Sequence, residues 1–307
     1  MHLCKFSLLL LLLPCHCLPT FPQNNASASS ALNGNWHLTG TGDKSMDFSL
    51  GKDGNEVYGE GDLSISCIDG ANRVELRGGV FVEGPIAPDG SFVLGNPHAF
   101  TVGNGNANPD IVKADVLTIR GKLPTPGSDQ WSGSFALSAF TATNSPTSAD
   151  CEADSGDFTA QRLADIRGAY KGSYGLKKTG YEQFIHEGGT EGYVSLEITQ
   201  GEMTATRAPG EFGHVIAANG RVTLTGSTKF PSGTFSAETK FDANTRILDG
   251  KAFMLQLPRQ NDGAVFIFYG RVDDQDKNRL QIEIRYMSKD GHGKYQTVLG
   301  FGWLTRQ

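Results

Sequence analysis

Asp89-Gly90-Ser91-Phe92-Val93-Leu94 begins with a turn dipeptide and continues into a short apolar run. The related stretch Asn219-Gly220-Arg221-Val222-Thr223-Leu224 occurs later in the chain. A second related pair is formed by residues 116–123 and 265–272. Asp-Gly and Asn-Gly pairs tolerate positive φ and therefore favour tight hairpin turns. These repeats predict two related, β-rich units in tandem.

Turn pairs and short strand-like runs fill the rest of the chain. Glycine accounts for 39 of the 307 residues, much of it in Asp-Gly and Asn-Gly pairs. Between these pairs the side chains alternate with the period of two that is typical of strands, as in residues 134–139. No sustained helical period follows residue 28. The pattern predicts an all-β fold of two tandem antiparallel up-and-down meander barrels, with about eight and ten strands.

Unit boundaries follow from the turns. We predict a first barrel unit over residues 32–163 and a second over residues 167–307, the second carrying an extra hairpin. The expected strands of the first unit lie near residues 35–41, 45–51, 56–68, 73–84, 90–102, 113–123, 131–142 and 157–163. Those of the second unit lie near residues 168–177, 181–187, 192–206, 213–218, 221–231, 233–241, 246–257, 263–273, 279–289 and 294–306.

The N-terminus has the features of a secretory signal peptide, predicted over residues 1–28. Lys5 precedes the apolar run Phe6–Leu13, which is too short to span a bilayer, and Ala26-Ser27-Ala28 fits a cleavage site. We expect an exported protein that is periplasmic, at the cell surface or extracellular, and not membrane-spanning. Lipid anchoring at Cys15 or Cys17 is an alternative, although neither cysteine follows a small residue.

Charge is distributed unequally between the two units. Residues 32–163 carry 8 basic and 17 acidic side chains, a net charge of −9, whereas residues 164–307 carry 18 and 16, a net charge of +2. An acidic chain of this kind argues against nucleic acid as a partner. The difference is either ordinary surface variation or a sign that the units attract each other or meet different partners.

Two cysteines follow the signal segment, Cys67 and Cys151. An even pair in an exported chain predicts a disulfide. In an up-and-down meander Cys67 falls at the end of the third strand and Cys151 in the loop after the seventh, so both lie on the same rim. That rim also carries the longest loops, near residues 103–112 and 143–156.

Gly34-Asn35-Trp36 opens the first unit and Arg162 closes it, while Gly168-Ala169-Tyr170 and Arg306 stand at the equivalent places in the second. A Gly-x-Trp at the start of the first strand with an Arg near the end of the last resembles the lipocalin and wider calycin pattern. The chain also resembles uncharacterised exported bacterial proteins with tandem β-domains. The resemblance implies that Arg162 packs on Trp36, and Arg306 on Tyr170, to close each barrel base. It also implies binding of a small apolar ligand.

Catalytic and metal motifs are incomplete. His186-Glu187 begins like a zinc-protease motif, but Thr190 stands where the second histidine is needed. Glu182 and His186 on one strand face, or the acidic residues around Cys151, are the remaining candidates for a cation. No Gly-x-Ser-x-Gly is present, which removes the main signal for a nucleophile-elbow hydrolase. We therefore expect no catalytic residues, no metal site and no cofactor.

These features favour an exported, non-catalytic binding protein. Its expected ligand is a small apolar or amphipathic molecule in a barrel mouth, or a cell-envelope component on the rim loops. The first alternative is a structural or adhesive cell-envelope module, which the tandem repeat and the acidic first unit would suit. The second is a hydrolase of glycans or esters, because catalytic groups that assemble only in space leave no pattern in the sequence.

Overall fold

A computed structural model describes residues 31–40, 45–69, 71–103, 110–142, 149–176, 190–204, 215–242, 244–258, 263–289 and 292–307. Throughout these ranges the regular secondary structure is β-strand. None of the described residues forms a helix long and apolar enough to cross a membrane. The predicted signal segment, residues 1–28, and the predicted strand 181–187 with His186 lie outside the described residues.

The first barrel is an antiparallel meander. Its described strands are β1 (Gly34–Gly40), β2 (Ser45–Asp53), β3 (Glu56–Asp69), β4 (Asn72–Pro85), β5 (Ser91–Gly95), β6 (Phe100–Val102), β7 (Asp110–Val112), β8 (Leu117–Lys122), β9 (Gln130–Leu137), β10 (Phe140–Ala142), β11 (Ala149–Cys151) and β12 (Asp154–Arg162). Among these, eight close a ring in the order β1-β2-β3-β4-β5-β8-β9-β12, and β12 pairs back to β1. The β6–β7 hairpin is a separate sheet, and β10 and β11 extend the ring from β3.

The second barrel repeats this plan. Its described strands are β13 (Gly168–Leu176), β14 (Gly192–Thr204), β15 (Val215–Thr225), β16 (Gly233–Glu238), β17 (Arg246–Asp249), β18 (Ala252–Leu257), β19 (Val265–Val272), β20 (Arg279–Lys289) and β21 (Tyr295–Arg306). In the described part of the chain, the ring again has eight strands, ordered β13-β14-β15-β17-β18-β19-β20-β21 and closed by β21 on β13. β16 pairs with the C-terminal half of β15, beside the ring.

The predicted fold class, all-β with two tandem antiparallel barrels, is confirmed. About ten strands were expected for the second unit; nine are described, and one expected strand, 181–187, lies outside the described residues. Residues 213–218 and 221–231 were expected to be separate strands with a turn at Asn219-Gly220, yet both residues lie inside the continuous strand β15. Gly220 is required there because a Cβ atom at this position would lie 2.2 Å from Leu255 Cδ1. Its absent side chain makes room for packing rather than for a turn.

Ring order also corrects the proposed repeat. β8 and β19 occupy equivalent places, as residues 116–123 and 265–272 predict. The counterpart of β5, however, is β18, so Asp89-Gly90 corresponds to Asp249-Gly250 and not to Asn219-Gly220. The two aspartates act alike, since Asp89 Oδ1 accepts the Ser91 N–H at 3.0 Å and Asp249 Oδ1 accepts the Lys251 N–H at 2.7 Å.

Each barrel buries its own apolar core. In the first, Trp131 packs edge-on against Trp36 and Phe158, with ring centroids 6.1 and 5.0 Å apart. In the second, Phe253 and Phe268 stack with centroids 6.3 Å apart, and both are fully buried. Burying a side chain of this size stabilises a fold by about 1.5–3 kcal/mol. These aromatic clusters belong to the two buried cores, one in each barrel.

The barrels meet through β2 and β3 of the first and β14, β15 and β17 of the second. The apolar run Val265–Tyr269 lies in β19, one face of which packs into the core of the second barrel. Phe266 and Phe268 point into the core of the second barrel and are fully buried, whereas Val265, Ile267 and Tyr269 on the outer face are only half-buried. β19 lies away from the strands that form the contact between the barrels.

Candidate functional site

The predicted closure pair of the first barrel lies at the start of the chain's first strand. Trp36 and Arg162 are direct cross-strand partners in the β1–β12 pair. The Arg162 guanidinium carbon lies 4.2 Å from the Trp36 ring centroid, and Arg162 donates to the backbone carbonyls of Asn33 and Ala31. Trp36 Nε1 donates to the Leu32 carbonyl at 2.7 Å. Burial lowers the pKa of Arg162, and the charge of Asp129 opposes that shift.

The second barrel places its pair in the same way. Tyr170 and Arg306 are direct partners in the β13–β21 pair, and the Arg306 guanidinium carbon lies 5.2 Å from the Tyr170 ring centroid. Tyr170 Oη donates to the Ile166 carbonyl at 2.9 Å, four residues earlier, as Trp36 does to Leu32. Arg306 Nε donates to Tyr170 Oη at 3.1 Å. Burial raises the pKa of Tyr170, so the phenol stays protonated and can donate.

The opposite end of the first barrel holds the disulfide. Cys67 and Cys151 are bonded, which confirms the predicted pairing. Cys67 lies near the end of β3, and β11 brings Cys151 alongside because Asp150 pairs with Ile68. Both cysteines are buried. The bond therefore ties the β10–β11 extension to the rim of the ring.

A cleft of about 890 Å³ opens at this disulfide-bearing end. Inward-facing residues of the ring line one part of it, among them Met46, Leu63, Ile65, Leu117 and Leu137, all of which are buried. Ionisable side chains from both barrels line another part, namely His37, Asp47, Asp62, Arg73, Glu75, Arg77, Glu152, Asp154, Lys251, Arg271 and Asp274. The cleft is thus apolar on the barrel side and charged along its walls.

Ion pairs between the barrels form the wall on the second-barrel side. Lys251 Nζ lies 3.1 Å from Asp47 Oδ2 and 2.9 Å from Asp274 Oδ1. His37 Nδ1 lies 2.7 Å from Asp47 Oδ1, on the other side of the same carboxylate. Burial alone would lower the pKa of Lys251, but its bonds to Asp274 and Asp47 outweigh burial and raise that pKa. Lys251 is therefore a firmly charged residue at the edge of the cleft.

Arg271 extends this wall. It lies 2.7 Å from Asp249 Oδ2 and 3.9 Å from Asp47 Oδ2. Burial would lower the pKa of Arg271, and the carboxylates of Asp249, Asp62 and Asp47 together raise it. The pKa of Asp62 is raised, first by burial and then by the charge of Asp249.

A buried ion pair lies deeper in the contact between the barrels. Arg246 Nε and Nη2 of β17 donate to the two carboxylate oxygens of Glu60 on β3, at 2.9 and 3.2 Å. Their side chains are only 9% and 8% exposed. Burial raises the pKa of Glu60 to about 7, although the charge of Arg246 and its hydrogen bonds act in the opposite direction. The pair is therefore held at a high desolvation cost.

Amide groups complete the contact. Asn35 Nδ2 donates to Gln200 Oε1 at 3.0 Å, and Gln200 Nε2 donates back to Asn35 Oδ1 at 2.8 Å. Ser49 Oγ also donates to Asn35 Oδ1, at 2.8 Å. Gly250 packs against the first barrel, where a Cβ atom would lie 3.2 Å from the Phe48 carbonyl oxygen. A side chain at this position would have to displace its neighbours slightly.

Of the residues singled out from sequence, the structure brings together Trp36 with Arg162, Tyr170 with Arg306, and Cys67 with Cys151. Glu182 and His186 lie outside the described residues. No group of three or more His, Cys, Asp or Glu side chains suited to a metal is found among the residues that the structure describes. Sequence reasoning did not identify the inter-barrel residues Asp47, Glu60, Arg246, Lys251 and Arg271. The unequal charge of the two units was the feature of the sequence that could have pointed to them.

This geometry defines a protein of two tandem, closed, eight-stranded antiparallel barrels within the described ranges, with a cleft at one end of the first. No family model and no curated protein matches the chain. Among solved structures, a match is found to a mutant of the vaccine antigen transferrin binding protein B from Haemophilus parasuis, at 9% identity. It covers 89% of this chain and 75% of that chain, with a TM-score of 0.20. Such a low TM-score does not establish a shared fold.

Proposed function

We propose that the protein is an exported, non-catalytic binding protein that holds a small amphipathic molecule in the cleft of the first barrel. The observation behind this proposal is the division of that cleft into an apolar part and a charged part. Its volume of about 890 Å³ suits a small molecule, since ligand pockets commonly measure about 300–1,000 Å³. An amphipathic ligand would place its apolar part against the ring and its polar part against the charged walls.

The mouth of the first barrel suits a ligand better than the deeper interior. At the Trp36 end, Trp36, Trp131 and Phe158 are buried against one another and fill the ring. In the described part of the second barrel, Phe253, Phe266 and Phe268 are fully buried in the core. The proposal therefore concerns the disulfide-bearing end of the first barrel. The lipocalin-like relationship and the predicted leader, residues 1–28, are part of this proposal.

Export is supported by the Cys67–Cys151 bond, because disulfides persist in oxidising compartments such as the periplasm and the extracellular space. The proposed ligand would therefore be a component of the cell envelope or its surroundings. A non-catalytic role fits a cleft whose charged groups are largely tied into ion pairs, such as Lys251 with Asp47 and Asp274.

Native mass spectrometry of the chain, purified from an exporting host and incubated with that host's lipid extract, tests this function. We expect a discrete bound mass that organic extraction removes. Leu137→Gln, which places an amide in the apolar part of the cleft, should reduce the bound fraction. Leu123→Gln makes the same change at a half-buried position outside the cleft and should retain the ligand.

Two outcomes would contradict the proposal. A clean ligand-free mass would favour a structural or adhesive cell-envelope module instead. Equal loss of ligand in both leucine variants would place the binding outside the cleft. Circular dichroism of each variant separates a loss of binding from a loss of fold.

A further inference from the structure

The outer wall of the second barrel carries an ordered row of aromatic and hydroxyl side chains. Strand register places Trp303, Ser173, Tyr193 and Thr225 directly opposite one another across β21, β13, β14 and β15. Neighbouring strands lie about 4.8 Å apart, so the row extends over roughly 14 Å. Because Tyr174 and Val194 are buried, the residues that precede them, Ser173 and Tyr193, face outward.

A second row lies two residues along the same strands. It consists of Thr305, Lys171, Ser195 and Thr223, and Thr234 of β16 continues it. Thr223 Oγ1 and Thr234 Oγ1 lie 3.0 Å apart, within hydrogen-bonding distance. Along a strand, residues that face the same way are about 6.8 Å apart. The two rows therefore form a lattice of hydroxyl groups beside the Tyr193 ring.

A groove of about 520 Å³ lies on this lattice. It is lined by Lys171, Gly172, Ser173, Tyr193, Val194, Ser195, Thr223 and Thr225. Tyr193 is 61% exposed, so most of its aromatic ring is open to a ligand. Lys171 is the single ionisable amine among these lining residues, and none of them is acidic. The groove is thus an aromatic surface surrounded by hydroxyls, with little charge.

The chemistry of this lining selects among ligands. A phosphate or carboxylate ligand would need more than one cation, and the groove offers Lys171 alone. An acyl chain would cover the hydroxyls of Ser195 and Thr225 with hydrocarbon, at a desolvation cost. A sugar ring has an apolar C–H face that suits the Tyr193 ring, and hydroxyl groups that both donate and accept. Serine and threonine hydroxyls also do both.

We propose that the Tyr193 groove on the outer wall of the second barrel binds a neutral oligosaccharide, with Tyr193 stacking on a sugar ring and Ser173, Ser195, Thr223 and Thr225 hydrogen-bonding its hydroxyls. This site is separate from the cleft of the first barrel, and the two share no lining residue. It is a site of recognition only, because the groove contains no pair of carboxylates that could cleave a glycosidic bond.

A glycan array followed by titration calorimetry tests this inference with the purified exported chain. The array holds neutral glucan and galactan oligosaccharides beside sulfated and uronic-acid oligosaccharides. We expect binding to one or more neutral members, and Tyr193→Ala should weaken the titrated affinity by about ten-fold or more. Thr223→Val keeps the shape but removes a hydroxyl, and should weaken binding by a smaller factor.

Phe241→Ala is the matched control, because Phe241 is 78% exposed and lies outside the groove, next to Lys240. It should leave the affinity unchanged. No binding to any neutral oligosaccharide would overturn the inference, and so would binding confined to the anionic members. Equal affinity of Tyr193→Ala and the unsubstituted chain would place the site elsewhere. If Tyr193→Ala still carries the lipid-extract ligand in its native mass spectrum, the first-barrel cleft is intact and the two sites are distinct.

Discussion

Arg162 lies directly opposite Trp36 across the pairing of the last and first strands of the first barrel, with its guanidinium carbon 4.2 Å from the indole centroid. The second barrel repeats this relationship with Arg306 and Tyr170. In both barrels the arginine also donates to backbone carbonyls of the segment that precedes the first strand. One side chain therefore joins the two ends of each unit, and removing it should open the ring where it closes.

Arg162→Ala should destabilise the first barrel by about 1–3 kcal/mol. The change removes a cation–π contact of about 0.5–2 kcal/mol and leaves the carbonyls of Asn33 and Ala31 without this donor. Urea unfolding followed by tryptophan fluorescence measures the loss, since Trp36 is the ring that Arg162 covers. Arg120→Ala is the control, because Arg120 is exposed on the outer wall. Equal effects of the two changes would contradict a closing role for Arg162.

Loss of the disulfide should destabilise the first barrel strongly. Cys67 and Cys151 are separated by 84 residues, and closing a loop of this length stabilises a fold by about 4–5 kcal/mol in the chain-entropy view. Thermal unfolding with and without reductant should show a large fall in Tm for the native chain. The Cys67→Ser/Cys151→Ser double variant should start from the lower Tm and be insensitive to reductant. An unchanged Tm on reduction would show that the β10–β11 extension is held by other contacts.

The Glu60–Arg246 pair predicts strongly non-additive mutations. Arg246→Met alone leaves the Glu60 carboxylate buried without its partner and should cost about 3–5 kcal/mol. Adding Glu60→Leu removes that unpaired charge, so the double variant should regain most of the loss. A double-mutant cycle by urea unfolding measures the coupling. Additive effects would mean that the two side chains do not depend on each other, against their two hydrogen bonds.

The same pair predicts a pH dependence. The pKa of Glu60 is raised to about 7 in the folded chain, chiefly by burial, from a value of 4.5 when exposed. Between these values the folded state binds more protons than the unfolded state, so the contribution of Glu60 to stability is complete below about pH 4.5 and is lost as the pH rises to about 7. The raised pKa of Asp62 has the same sign.

Unfolding free energies measured from pH 4.5 to 7.5 test this dependence. The unfolding free energy of the unsubstituted chain should fall relative to that of Glu60→Gln as the pH rises, because glutamine does not titrate. Glu83→Gln, the same change at a half-buried position of β4, is the control. A pH-independent difference for Glu60→Gln would show that the Glu60 carboxyl keeps one protonation state over this range.

Local patterns in the sequence were sufficient for the fold class and the disulfide. Alternation in stretches such as 134–139 predicts strands because side chains of a strand point to opposite faces, whatever lies around it. Parity of a meander placed Cys67 and Cys151 on one rim, and the bond confirms it. The Gly-x-aromatic and arginine motifs also pointed to residues that the structure brings into contact.

The errors have a common cause in packing. Asn219-Gly220 has the composition of a turn, but Gly220 lies in β15, where Leu255 fills the space of its missing side chain. A turn dipeptide and a close-packed glycine have the same letters, and only the neighbour across the barrel distinguishes them. The two strands expected on either side of Asn219-Gly220 are therefore one strand in the described structure.

The sequence by itself determined the all-β class, the tandem repeat and the disulfide, because these depend on alternation, turn chemistry and residue type along short segments. Tertiary structure alone decided which strands close each ring, that Glu60 meets Arg246 across 186 positions, and that apolar and charged residues share one cleft. The charge difference between the units fitted either ordinary surface variation or attraction between them, and it named no residue. Contacts of this kind depend on distances between atoms remote in the chain, which no local pattern encodes.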